Sequence, residues 1–77
     1  MKKVTVYTKH NCPACELTKT ILVNEGIEFK TVNVEEDSNA LDYIKNTLGF
    51  TSVPVVEVEG SESFAGFQPE KLKELSK

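Results

Sequence analysis

Cys12-Pro13-Ala14-Cys15 is the stretch of this 77-residue sequence whose residue types and spacing can do chemistry. Two thiols about one helical turn apart come within sulfur–sulfur reach. A thiolate at a helix N-terminus meets partial positive charge and unpaired N–H groups, so its pKa falls. Cys12, just before the helix, is expected to be exposed and to act as the nucleophile. Cys15, further in and more buried, is expected to resolve the mixed disulfide made by Cys12 and to release the reduced product. Lys9, three residues before Cys12, adds a nearby cation.

Other readings of these residues are weaker. A single Cys-x-x-Cys can be half of a zinc site, but the remaining nitrogen or sulfur ligand is His10, and zinc takes four ligands. Inert core cysteines do not fit a strand-to-helix turn, which lies on the surface. His10 reads as an exposed turn residue rather than a base. Val53-Pro54 has two readings. A cis bond is accessible at modest cost and would present the Val53 backbone to an extended substrate segment; a proline that merely starts a strand is equally ordinary. Phe64 and Phe67 are either core residues or, if one is exposed, a docking anchor beside Gly66, which permits close approach of another backbone.

The elements that must position these residues follow from periodicity. Residues 3–8 are β-branched and aromatic and read as a strand. Residues 13–25 form a helix with Ala14, Leu17, Ile21 and Leu22 as its apolar stripe, Pro13 at the first position and Gly26 just past the end. Residues 27–34 alternate as a second strand, with Ile27, Phe29, Thr31 and Asn33 on one side. Asp37 or Ser38 caps a second helix carrying Leu41, Ile44 and Leu48, and Gly49 closes it. Val55–Val58 is a third strand, residues 59–62 are a tight turn, and Ser63-Phe64 begin a short fourth strand. Pro69 opens a last helix with Leu72 and Leu75. The order βαβαββα predicts one α/β domain over residues 1–77: a four-stranded mixed sheet flanked by three helices, with a parallel crossover first and an antiparallel hairpin last.

Composition narrows the partners. Nine lysines, no arginine and twelve acids give a formal charge of -3, a poor footprint for nucleic acid. No apolar run approaches the ~20 residues of a membrane span. The apolar stretch after Met1-Lys2-Lys3 is only Val4–Tyr7 and is interrupted by Thr5, too little for a signal peptide. A cytoplasmic address is expected, where a cysteine pair is more often catalytic or metal-binding than structural.

Taken together, Tyr7-Thr8-Lys9, Cys12-Pro13-Ala14-Cys15, Ser52-Val53-Pro54 and Phe64-Ala65-Gly66-Phe67-Gln68-Pro69-Glu70 resemble the NrdH-redoxins over essentially the whole chain. These are glutaredoxin-like in sequence and thioredoxin-like in behaviour. The resemblance implies a thioredoxin-like fold and a monomeric dithiol carrier without a bound cofactor. It implies reduction by thioredoxin reductase, with NADPH as the ultimate donor, and electron delivery to class Ib ribonucleotide reductase. Lys9, Pro13, Val53, Pro54, Gly66, Phe67 and Gln68 then become candidate partner contacts. The tail discriminates. Glutaredoxins carry Gly-Gly, a polar residue and acids there, which hold the γ-glutamyl end of glutathione. An NrdH-redoxin typically has Trp-Ser-Gly-Phe-Arg-Pro-Asp. This chain keeps Gly66, Phe67 and Pro69, but has Phe64, Ala65, Gln68 and Glu70 at the other positions. Its Pro13-Ala14 leans toward glutaredoxin's Pro-Tyr. A glutathione-dependent glutaredoxin, and a module holding metal or an iron–sulfur cluster on the cysteines, are the alternatives; the cluster would need thiolates from a second chain.

Overall fold

A computed structural model describes residues 3–75. Strand β1 runs Val4–Thr8 and enters helix α1, Pro13–Asn24, through a short loop. Strand β2 is Lys30–Asn33, and helix α2 is Ser38–Asp42, which continues into a π-helical segment, Tyr43–Thr47. Strand β3, Val55–Val58, is followed by the two-residue β4, Phe64–Ala65, and by helix α3, Pro69–Glu74. The sheet order is β2-β1-β3-β4. β1 pairs parallel with β2, and β3 pairs antiparallel with both β1 and β4. The fold is thus the expected thioredoxin-like α/β arrangement with a mixed four-stranded sheet.

Each face of the sheet covers its own core. On one, Val4, Val6, Val56, Val58 and Phe64 pack with Leu22 of α1 and Leu72 of α3. On the other, Tyr7, Val34 and Val55 pack with Ala40 and Ile44. Period-2 alternation produces this division, because neighbouring strand residues point to opposite faces.

Three local expectations need correction. Leu17 is 52% exposed and does not belong to the buried stripe of α1. The buried positions are Cys15, Thr18 and Leu22. At 3.6 residues per turn Leu17 points about 130° away from the centre of that arc. Thr18 is fully buried because its hydroxyl donates to the Ala14 carbonyl at 2.9 Å, which removes the cost of burying it. The second strand is four residues long rather than eight, since Ile27 is still tied to α1 through its N–H to the Leu22 carbonyl at 2.9 Å. Thr31 is exposed, whereas Ile27 and Phe29 pack on the first core. Finally, the second helix widens. The Leu48 N–H reaches back five residues to the Tyr43 carbonyl at 3.1 Å, so one turn is π-helical. Asp37, not Ser38, is the cap, its carboxylate accepting from the Ala40 N–H at 3.1 Å.

Three elements are tied by one carboxylate. Glu57 on β3 accepts from the Tyr7 hydroxyl at 2.9 Å and from the Tyr43 hydroxyl. The two rings meet at a centroid distance of 6.0 Å, within the range of favourable aromatic pairs. Burial, then the bond to Glu57, raises the Tyr7 pKa; the bond to Glu57, then burial, raises that of Tyr43. Both phenols therefore hold their protons more tightly in the folded chain than in the unfolded one. Below the ordinary value of 10.0 both states are protonated and the stabilisation is complete. Above it the unfolded chain releases its protons first, so stability falls as pH rises. The urea midpoint should decline as pH rises above about 10, and decline less in a Tyr7→Phe/Tyr43→Phe double variant, which keeps every lysine. Equal slopes in the two proteins would contradict the clasp.

Candidate active site

β1 delivers the redox motif. After Thr8, Lys9 and His10 are exposed, and Asn11 takes a positive φ of 54°, a conformation asparagine tolerates better than most residues. Cys12 is the N-cap of α1, with extended dihedrals of φ −115° and ψ 94°. Its Sγ accepts from the Cys15 N–H at 3.2 Å, and its carbonyl accepts from the Glu16 N–H at 3.2 Å. A sulfur in the cap position stands where anionic charge is stabilised. Cys12 and Cys15 form a disulfide, with their Cα atoms 5.2 Å apart.

Cys12 is less open than expected, at 9% exposure, because it caps its own helix; Cys15 is nearly sealed at 1%. Their order is nonetheless the expected one. Of the two, Cys12 keeps the greater exposure.

Strand register brings the other candidates to the same end of the sheet. Tyr7 pairs with Val55, and Val55 with Ala65. One step beyond these pairs, β1 becomes the redox loop, β3 is preceded by Val53-Pro54, and β4 passes into Gly66-Phe67. The Val53–Pro54 bond is cis, and Pro54 directly precedes β3. Pro54 is buried, Val53 is half-buried, and the Pro54 carbonyl accepts from the Gly66 N–H at 2.7 Å. Gly66 has φ 82°, and nothing lies within 4 Å of where a Cβ would sit. Its requirement for glycine is therefore one of backbone conformation.

The phenylalanines part company. Phe64 is 6% exposed and belongs to the core, with the Lys71 ammonium 5.5 Å from its ring centre. Phe67 is 39% exposed at the active-site end. The Gln68 amide donates to the Ala65 carbonyl at 2.7 Å, closing the turn that presents Phe67. Pro13 is exposed at the first position of α1. A cavity of about 240 Å³ opens between Lys9 and Val53, with Glu35, Lys45 and Ser52 also on its wall.

His10 is exposed as expected, with Nε2 3.5 Å from a Glu36 carboxylate oxygen and 3.4 Å from the Asn33 side-chain nitrogen. Among the described residues no group of three or more His, Cys, Asp or Glu is placed to hold a metal ion. No described helix is long and apolar enough to cross a membrane. Reasoning from sequence overlooked Glu35, Glu57 and Tyr43. They carry no motif, and only the pairing of the strands and the packing of the second helix against the sheet bring them to their partners.

Comparison with known proteins agrees with this geometry. Residues 4–62 match the glutaredoxin family model. The glutaredoxin-like protein NrdH of Salmonella typhimurium is 38% identical over 72 residues, covering 94% of this chain and 86% of that protein. The gene 56 protein of Mycobacterium phage L5 is 43% identical over 72 residues, covering 94% of this chain and 70% of the phage protein. Among solved structures, the glutaredoxin-like NrdH-redoxin from Escherichia coli, which has a thioredoxin-like activity profile, superposes with a TM-score of 0.87. It is 33% identical, with 95% of this chain and 93% of that chain covered. A chain that fits the glutaredoxin model over most of its length, and an NrdH-redoxin over nearly all of it, belongs to the glutaredoxin family as one of its NrdH-like thiol–disulfide oxidoreductases.

Proposed function

We propose that this chain is a dithiol electron carrier for protein disulfides, re-reduced by thioredoxin reductase and serving class Ib ribonucleotide reductase. The Cys12 thiolate attacks one sulfur of the client disulfide; a mixed disulfide forms and the other client sulfur leaves as thiolate. The Cys15 thiolate then attacks Cys12, the intermolecular bond breaks, and the second client sulfur leaves. Two electrons pass to the client, and the chain is left with the Cys12–Cys15 disulfide. The reductase returns two electrons drawn from NADPH, so the chain itself needs no bound cofactor. It works as a single-domain monomer in the cytoplasm.

The observation that carries this reading is Phe67, 39% exposed at the same end of the sheet as the redox loop. Glutathione is a small, highly charged peptide whose binding depends on pairing each charge. At the positions where glutaredoxins place polar and acidic residues, this chain offers Phe67, a Gln68 whose amide is already bonded to Ala65, and Pro69. A protein partner contributes area instead, and an exposed aromatic ring at the site suits it. Lys9, Pro13, Val53, Pro54 and Gly66 would complete the docking patch. A glutathione-dependent glutaredoxin remains the second reading, favoured by the two lysines, Lys9 and Lys45, on the wall of the small cavity.

NADPH consumption with a disulfide client decides between them. With thioredoxin reductase the rate should be high; with glutathione and glutathione reductase it should be near background. Efficient turnover with glutathione and none with thioredoxin reductase would make the chain a glutathione-dependent enzyme.

A further inference from the structure

The loop between β1 and Cys12 is fastened from outside by the turn that follows β2. The β1–β2 pairing ends at Thr8 and Asn33. Beyond it the Val34 N–H donates to the Thr8 carbonyl at 2.9 Å. The next residue, Glu35, accepts from the His10 backbone N–H through Oε1 at 2.5 Å. Glu35 is itself oriented, since its own N–H donates to the Asn33 side-chain oxygen at 2.8 Å. Two backbone groups, that of Thr8 at the end of β1 and that of His10 in the redox loop, are thus held by two consecutive residues of the neighbouring turn. The nearby His10–Glu36 pair adds little, because both side chains are mostly exposed and 3.5 Å apart.

We propose that Glu35 is a positioning residue for Cys12. His10 lies two residues before the nucleophile, and Asn11 between them already departs from ordinary backbone geometry. In the oxidised chain the disulfide fixes Cys12. In the reduced chain that covalent restraint is gone, and Cys12 is placed by its cap contact with the Cys15 N–H and by the loop behind it. A carboxylate accepting from a backbone N–H makes a stronger bond than a neutral acceptor does. Its loss lets the loop swing and weakens the cap that favours the thiolate. The carboxylate also shares the cavity wall with Lys9 and Lys45, so charge and hydrogen bonding must be separated experimentally. The inference rests on the Cys12–Cys15 mechanism.

Glu35→Ala and Glu35→Gln separate them, since both remove the charge and only glutamine keeps an acceptor. Two measurements apply: the rate of reduction of insulin disulfides, and the pH profile of Cys12 alkylation by iodoacetamide on the reduced protein. Glu35→Ala should lower the reduction rate about three- to tenfold, the span of one lost hydrogen bond, and Glu35→Gln should recover most of it. The alkylation profile of Glu35→Ala should lie to the alkaline side of that of Glu35→Gln. If alanine behaves as wild type, or glutamine is as slow as alanine, Glu35 does not position the loop through this bond. Wild-type protein that fails to reduce insulin at all would overturn the dithiol mechanism and this inference together.

Discussion

Cys12→Ser should abolish disulfide reduction, and Cys15→Ser should stop the reaction halfway. The two outcomes differ because the sulfurs sit differently on α1. Cys12 caps the helix and retains some exposure, whereas Cys15 is sealed at 1%. Without Cys12 the remaining thiol cannot be reached, and serine is too weakly acidic to attack a disulfide at neutral pH. Without Cys15 attack proceeds, but the mixed disulfide has no internal thiolate to resolve it. A Cys15→Ser protein mixed with an oxidised client should therefore yield a covalent heterodimer on a non-reducing gel, dispersed by dithiothreitol. Normal turnover by Cys15→Ser without a trapped complex would mean a monothiol route. Activity in Cys12→Ser would mean that the roles are reversed.

Leu22→Ala should cost about 2–5 kcal/mol, whereas Leu17→Ala, five residues earlier on the same helix, should stay within about 0.5 kcal/mol of wild type. Leu22 is fully buried between the sheet and α3, and its removal leaves a cavity. Leu17 is 52% exposed. At roughly 0.05–0.15 kcal/mol per residue, a chain of 77 residues holds about 4–12 kcal/mol in all, so the Leu22 change removes a large share of it. Urea unfolding of the three proteins, with unchanged slope and shifted midpoint, measures both costs. Similar losses at the two leucines would contradict the assignment of the buried face.

That pair of leucines also marks where reading the sequence stops. Counting apolar residues finds the helix but turns it wrongly, because Thr18 and Cys15 face the core while a leucine does not. What admits Thr18 is a hydrogen bond to its own helix, a local event with no signature in composition. The element order and the mixed pairing of the strands were legible from alternation, and the cysteine motif from its residue types, whereas the grouping of Val53-Pro54 with Gly66-Phe67 came with the family resemblance. The cis state of Pro54 was expected and is found, although an isolated Val-Pro step accepts either isomer. The Tyr7–Glu57–Tyr43 clasp was not legible. It joins residues 50 and 14 positions apart, and it places a carboxylate in a strand that otherwise reads as purely apolar. The low exposure of Cys12 follows from the sulfur serving as cap, a role more often taken by an oxygen.

The sheet order has a consequence for how this chain survives at high concentration. Val4–Thr8 and Val55–Val58 are the segments most apt to stack into cross-β aggregates, being rich in β-branched residues and poor in charge. Both are interior strands, with hydrogen-bonding partners on either side. The margins are left to a two-residue strand and to a four-residue strand that begins with an exposed lysine and threonine. Short, lysine-bearing margins are poor templates for another chain to extend. A thiol–disulfide oxidoreductase of this fold can thus expose Phe67 at one end without offering its sheet margins as a second apolar surface.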